Sequence, residues 1–483
     1  MIKIKLLLGI FIVVSIASCS GGGSGGNVDN GNTPGDTTGN VAVGPLKVHL
    51  DNPRYFTDGS ERIIFLTGSH TWCNFQDCGD TYPPSLFNFS GYLDFLKTYN
   101  HNFFRLWRAE HARGGEGGDD FWFDPMPYMR PGPGTALDGK PRFDLHRFNE
   151  IYFARMRSRV IEAGKRGIYV SIMLFNGWSV EDKNQERNPW PGHPLHRANN
   201  INGIDGDPNG NSQGEETHTL ANPSVVALQE TYVRKVIDTV GDLENVLYEI
   251  SNESHSGSVE WQYHMIDIIK QYEAGKLKQH PVGMTIPWPG GDNTDLFSSP
   301  ADWISPNGDV DSPAIADGKK VILFDTDHLC GICGDPAWVW KSLTRGCNPV
   351  FMDPYDRTFI ASGVPADYDP GNANDMGIRK SMGWALSFSN RINLAAMAPC
   401  EAGMASSDYC LAHAAEADAQ YLVYLPTGGQ VTVDLTRTAG RLQVEWFNAT
   451  TGQAQIAAEV DGGAAETFVS PFGSTHSILY LFQ

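Results

Sequence analysis

The chain has 483 residues, is 41% hydrophobic and 11% aromatic, and carries a formal net charge of −20. That length exceeds one compact core and calls for two domains. The acidic balance argues against nucleic acid as a partner, because phosphate binding needs clustered Lys and Arg.

Lys3 and Lys5 precede an apolar run from Leu6 to Ile16, too short for a membrane span, that reads as an export leader. The run closes in Ile16-Ala17-Ser18-Cys19, which resembles a bacterial lipoprotein leader cut before Cys19, whose thiol would carry the lipid. Residues 1–19 are assigned to this leader. Residues 20–44, dominated by Gly, Ser, Asn and Thr, read as a flexible tether. The expected location is the bacterial cell envelope, lipid-anchored at the outer membrane or cell surface, with no other membrane contact. Seven further cysteines suit an oxidising compartment, with 73–78, 330–333 and 400–410 as local pairs and Cys347 left over. Cys330-x2-Cys333 lacks the second ligand pair that zinc would need, so no metal and no cofactor are expected.

Strand and helix signals alternate from about residue 60 to residue 390. Ile63–Leu66 reads as a first strand, leading to His70 and Trp72. Phe103–Trp107 is a second, carrying Arg105 and ending near Glu110 and His111. A helical period follows from Leu145 to Ala163, closed by Gly164 and Gly167. Ile168–Phe175 is a third strand, ending at Asn176 and Trp178. A polar insertion spans 179–221. Within it, Asp205-x-Asp207-x-Asn209-Gly210 with Glu216 matches calcium-loop spacing, but Pro208 and the lack of flanking helices make it a rim loop. Asn222-Pro223 then opens a helix as a cap and first-turn proline should.

Asn245 to Glu253, N-V-L-Y-E-I-S-N-E, is an apolar run that stops in an amide and a carboxylate. It reads as a buried parallel strand. Val282–Ile286, ending at Trp288, is the fifth, Trp303-Ile304 the sixth, Val321–Phe324 the seventh and Val350–Met352, ending in Asp353, the eighth. The seventh ends in Asp325-Thr326-Asp327-His328. Repetition of this number implies a (β/α)8 TIM barrel over 45–391, with a doubly wound open sheet as the rival. Alternating runs at 421–425, 431–435, 442–447 and 476–482, separated by Gly- or Asn-rich turns, imply a small antiparallel β-sandwich over 392–483.

In such a barrel chemistry belongs at the C-terminal ends of the strands. Two carboxylate-tipped strands are what glycoside hydrolysis needs. Glu253 is the candidate proton donor, and Asp325 or Asp327 the nucleophile or base; parity does not separate them. Glu249 should lie deeper on the same face as Glu253, paired with a basic group. His70, Trp72, Arg105, Glu110, His111, Asn176, Trp178, Asn252, Trp288, His328 and Asp353 are candidate substrate-binding residues.

Asn252-Glu253 on the fourth strand resembles clan A glycoside hydrolases. The wider pattern, F-L-T-G-S-H-T-W (65–72), F-F-R-L-W (103–107), D-T-D-H-L (325–329) and M-D-P-Y-D (352–356), is similar to apiosidase-like, cellulase-like bacterial proteins. Such proteins often bear a C-terminal β-domain named for collagen binding, here expected to pack on the barrel or touch glycan. The resemblance implies a retaining enzyme on plant or microbial polysaccharide, with its acid/base Glu after strand four and its nucleophile after strand seven. The clan's nucleophile is normally Glu, whereas this chain has Asp325 and Asp327. That change motivates the alternative of a non-catalytic surface glycan-binding lipoprotein. A monomer is expected.

Overall fold

The structure, a computed structural model, describes residues 44–483 apart from 61, 116–117, 184–186 and 356–367. The leader, Cys19 and the tether up to residue 43 therefore lie outside the described residues. Eight parallel strands form the central sheet: β1 Gly68–His70, β2 Phe103–Leu106, β3 Tyr169–Asn176, β4 Val246–Asn252, β5 Val282–Thr285, β6 Trp303–Ser305, β7 Val321–Asp325 and β8 Asn348–Met352. Each pairs with its successor in the chain from β2 onward, and β8 pairs with β1, which is barrel order and excludes the open doubly wound sheet.

The seam between β1 and β2 is closed by Asn102. Its amide accepts from Thr67 N–H at 2.9 Å and donates to Phe65 O at 2.8 Å, and its backbone N–H reaches Thr67 O at 3.1 Å. Gly68 permits this approach, since a Cβ there would stand 2.1 Å from Phe103 O. The first strand is thus displaced from its expected place. Ile63-Ile64 belongs instead to a small sheet with Lys47–Val48 and Phe56–Thr57. Leu46, Phe56 and Leu66 pack with Phe103, Leu247, Trp303 and Val350 as one cluster, so the apolar run caps the base of the barrel rather than walling it.

Helices α1 Phe89–Thr98, α2 Glu150–Gly164, α3 Pro223–Val240, α4 Val259–Glu273, α5 Asn293–Ser298, α6 Pro336–Thr344 and α7 Ala373–Ser389 surround the strands. Among the described residues the β6–β7 connection carries no helix. Asn222 caps α3 on Val225 N–H and Pro223 starts it, as the sequence predicts. Helix α2 starts later than its periodicity suggests, because Asn149 caps it and Asp144–Phe148 pairs as a strand with Tyr128–Met129.

The C-terminal lobe holds β9 Ala398–Pro399, β10 Cys410–His413, β11 Gln420–Leu425, β12 Gln430–Asp434, β13 Arg441–Asn448, β14 Ala454–Asp461, β15 Ala465–Val469 and β16 Ser477–Phe482. Six form an antiparallel sheet, β9-β10-β11-β16-β13-β14, and the pair β12-β15 covers one face. Tyr421, Val423, Val444, Trp446 and Leu479 share a cluster with Val431, Val433 and Phe468 of that pair. Residues of opposite parity, Leu422, Tyr424, Phe447, Ile478 and Tyr480, join the barrel's own core. Phe447 meets Trp340 of α6 and Trp384 and Phe388 of α7 at ring separations of 5.8, 5.5 and 5.2 Å. Arg391 forks onto Glu445 at 2.9 and 3.0 Å. Disulfides 73–78, 330–333 and 400–410 pair as the spacing predicts, and Cys347 is buried and free.

Because one apolar seam joins the lobes, Phe447→Ala should cost about 3–5 kcal/mol. Calorimetry should resolve two thermal transitions in place of one; an unchanged single transition would show that the seam does not couple the lobes.

Candidate active site

The end of the barrel is organised around Arg105 of β2, whose side chain is 2% exposed. Its Nε donates to Glu249 Oε2 at 2.9 Å, and its Nη2 to Glu249 Oε1 and Asn252 Oδ1, both at 2.6 Å. Its Nη1 donates to Asp325 Oδ2 at 3.1 Å and Asp327 Oδ2 at 2.7 Å. Every guanidinium N–H is thereby used. One cation ties three strand ends together and is shared by three buried carboxylates.

Asp325 has no free oxygen. Its Oδ1 meets His70 Nε2 and the Asp327 N–H, each at 3.0 Å, and Oδ2 takes Arg105. Burial pushes the Asp325 carboxyl up, but His70 and Arg105 outweigh it and hold it well below the usual carboxylate range. Asp327 sits in the 3-10 turn Thr326–His328 that Asp325 caps. Its Oδ2 takes Arg105, and its Oδ1 has no protein partner among the described residues. Burial raises Asp327, Arg105 pulls it back, and the Asp325 charge raises it again, for a net rise. His328 Nε2 donates to Asn252 Oδ1 at 3.1 Å, and its Nδ1 accepts from Ser305 at 2.6 Å. Burial and the Arg105 charge keep this imidazole well below its usual value. Among the described residues Asn252 Nδ2 is buried without a protein partner.

Glu253 follows the last residue of β4 with φ +46°, where the strand's alternation ends. Gly177 makes room for it, since a Cβ there would lie 2.2 Å from Glu253 O. Trp178 Nε1 donates to Glu253 Oε2 at 2.5 Å. Burial first, then the Asp327 charge, push the Glu253 carboxyl up to about 8 against the pull of Trp178, Lys183 and Arg105. Trp178 lies stacked on Trp288, with centroids 5.2 Å apart and planes at 15°, and Trp288 keeps 36% of its surface exposed. Lys183 pins this pair through Trp288 O and Glu181 Oε1, both at 2.7 Å.

The structure thus gathers Glu253, Asp325, Asp327, Asn252, Arg105, His70, His328, Trp178 and Trp288 at one mouth. Trp72 adds an edge contact to Trp107 at 6.0 Å, and Trp107 stacks on His70 at 5.7 Å. Glu110, His111, Asn176 and Asp353, the remaining candidate substrate contacts, are each hydrogen-bonded to protein partners. Asp353 is forked by Arg379 of α7, with Nε 2.7 Å from Oδ2. His111 is held between Ser179 Oγ and Gly114 O, each at 3.0 Å. Asn176 accepts from Trp178 N–H at 3.1 Å and donates to Arg108 O at 2.8 Å, which presents the indole rather than a ligand contact. Glu110 faces His218. Sequence reasoning missed Lys183 and His218, which lie in the aperiodic 179–221 insertion. In the loop at 205–216 the side chains bond one another, as Asn211 does Glu215 at 2.5 Å. Among the described residues no cluster of three or more His, Cys, Asp or Glu is placed to hold a metal.

A family model described as "Domain of unknown function (DUF6298)" matches residues 96–288, and one described as "Putative collagen-binding domain of a collagenase" matches 401–479. No curated protein sequence matches the chain. Solved structures do. One, named a glycoside hydrolase, is 13% identical over 91% of this chain and 97% of its own, at a TM-score of 0.54. A glycoside hydrolase family 5 structure from Bacteroides vulgatus is 13% identical over 91% and 94%, at 0.55. Another from that organism, described as a "putative glycoside hydrolase", is 11% identical over 92% and 83%, at 0.60. These likenesses take in both lobes and establish the fold that the clan A resemblance implies; the narrower apiosidase-like ascription is not among them.

Two outcomes follow from the charge arrangement. Arg105→Met leaves three buried carboxylates without their cation and should destabilise the protein by about 3–5 kcal/mol in denaturant titration. Glu253→Gln should do the reverse. A carboxyl raised to about 8 costs stability once the unfolded chain ionises near pH 4.5, and the cost grows until the folded group ionises too. The variant's advantage in thermal midpoint should therefore open between pH 4.5 and 8 and level off above; a gap independent of pH would refute the raised value.

Proposed function

We propose that this is an exported, lipid-tethered glycoside hydrolase that cleaves O-glycosidic bonds in plant or microbial polysaccharide. The observation that carries it is a pair of carboxyl groups with opposite surroundings. Among the described residues Asp327 shares the Arg105 cation and has an open oxygen, whereas Glu253 forms no ion pair and is buried against an indole. The negative charge of the pair therefore rests on Asp327 and the proton on Glu253, which is the division of labour that glycoside cleavage requires.

In this reading Asp327 Oδ1 attacks the anomeric carbon while Glu253 gives its proton to the departing glycosidic oxygen. Asp325, with both oxygens taken, orients the Asp327 backbone and stays ionised. Glu253, now a carboxylate, removes a proton from water, whose oxygen displaces Asp327 and releases the sugar with retained configuration. Asn252 Nδ2 is free to bind a sugar hydroxyl, and the exposed face of Trp288 offers a platform for a ring on the leaving-group side. No cofactor takes part. Export and the Cys19 lipid follow from the leader, which would put the cleft at the cell envelope facing polymeric substrate, as a monomer.

The test is product release from a panel of cell-wall polysaccharides and aryl glycosides. Glu253→Gln and Asp327→Asn should each lose about 10²–10⁴-fold in turnover on polysaccharide. The sugar first released, followed by NMR, should keep its anomeric configuration; inversion would make Asp327 a base for water instead of a nucleophile. Wild-type kcat/KM should fall above about pH 8, where Glu253 loses its proton. Trp288→Ala should raise KM about three- to tenfold with a smaller effect on kcat. A wild type that binds glycan but cleaves nothing on the panel would replace the enzyme with the glycan-binding reading.

A further inference from the structure

Behind the proton donor runs a chain of buried polar side chains that the proposed chemistry does not use. Glu110, at the end of the β2 loop segment, is 3% exposed, and His218 and Ser254 are fully buried. His218 ends the 3-10 turn Glu215–His218 and stacks on Trp261, with centroids 4.7 Å apart and planes at 17°. Its Nε2 lies 3.0 Å from Glu110 Oε1, and its Nδ1 lies 2.9 Å from Ser254 Oγ. Burial pushes the Glu110 carboxyl up, but Arg108, His218 and His193 outweigh it and hold it well below the usual range. An ionised Glu110 can only accept, so the imidazole turns Nε2–H to it and Nδ1 to the Ser254 hydroxyl. Ser254 Oγ also shares a hydrogen bond with Ser251 Oγ at 2.6 Å.

Ser254 is the residue after Glu253, and its carbonyl receives Trp288 N–H at 3.0 Å. The same Glu110 Oε1 also accepts Asn176 N–H at 2.8 Å. Asn176 caps the turn Gly177–Ser179 that carries Trp178 onto Glu253. One buried carboxylate therefore fixes both the backbone that follows the donor and the indole that grips it. A left-handed, non-glycine backbone at the donor is costly and persists only where its surroundings impose it.

We propose that Glu110, His218 and Ser254 are positioning residues for general-acid catalysis, holding Glu253 over the leaving oxygen while touching no substrate themselves. This rests on the reading of Glu253 as the proton donor. A positioning defect of this kind should appear only where the leaving group needs a proton. A phenolate is a poor leaving group and needs one, whereas 2,4-dinitrophenolate departs without help.

The experiment compares phenyl and 2,4-dinitrophenyl glycosides of the sugar that the wild type cleaves, for Ser254→Ala, His218→Gln and Glu110→Gln beside Glu253→Gln, in the full chain. Ser254→Ala and His218→Gln should lose about 10–100-fold in kcat on the phenyl glycoside, with KM little changed, and stay within about threefold on the dinitrophenyl glycoside for the step that releases it. Ser254→Ala removes a single hydroxyl, so it carries the test where Glu110→Gln fails to fold. Equal losses on both glycosides, or no loss on either, overturn the relay while leaving Glu253 in place. Should Glu253→Gln itself lose equally on both, the donor reading fails and the relay falls with it.

Discussion

A single guanidinium in the middle of the barrel mouth is the constraint on which the site depends. Arg105 is buried with Glu249, Asp325 and Asp327, and each of its N–H groups has an acceptor. Removing a cation from water is costly unless its partners and geometry are nearly complete. Here completeness requires β2, β4 and β7 to end at fixed heights, because the acceptors sit on two of those strands and the donor on the third. The barrel positions Arg105, and Arg105 in turn fixes the register of the residues that would act.

The same arrangement explains why the two carboxyl groups differ. Arg105 donates to Asp325 and Asp327 at the end of β7 and to Glu249 and Asn252 of β4, and none of its N–H groups reaches Glu253. Glu253 receives an indole N–H and is buried, and the neighbouring Asp327 charge adds to the burial effect. Coulomb attraction weakens with distance and a direct hydrogen bond to the ionised form adds to it, so the carboxyl that Arg105 bonds gives up its proton more readily than the one it does not. Asp325 has a further role. Fully occupied and ionised, it holds the backbone N–H of Asp327, so the group with an open oxygen is fixed by the group without one.

Much of the barrel was legible because a strand buried on both faces is a nearly continuous apolar run, as in Val321–Phe324 and, but for Glu249, Val246–Ile250. β1 was not, because Gly68-Ser69-His70 carries no apolar signal and the run just before it serves the base. At the site, Glu253, Asp325 and Asp327 could be found because a carboxylate at the end of an apolar strand is rarely idle. The same rule also selected Glu110 and Asp353, which face His218 and Arg379. Nothing in a linear pattern records which way a loop turns after a strand. Choosing between Asp325 and Asp327 required knowing which oxygens Arg105 and His70 leave open. His218 and Lys183 come from an insertion with no period, so their arrival beside Glu253 is a tertiary fact.

The shorter acid at β7 is compatible with the proposed chemistry because of where it sits. β7 ends at Asp325, and the 3-10 turn that follows advances the chain before Asp327 appears. A carboxylate two residues beyond the strand starts nearer the cleft than one at the strand's last position. The methylene that Asp lacks relative to Glu is then supplied by backbone. A turn is less rigid than a strand, which would make such an acid imprecise. Here the Asp325 cap on Asp327 N–H, the Arg105 bond to Oδ2 and the His328 tether to Ser305 and Asn252 restrain it from three sides. Positional precision that a longer side chain on a strand would have by default is built here from hydrogen bonds, and all but the Ser305–His328 bond trace back to Arg105 or to an acceptor that Arg105 holds.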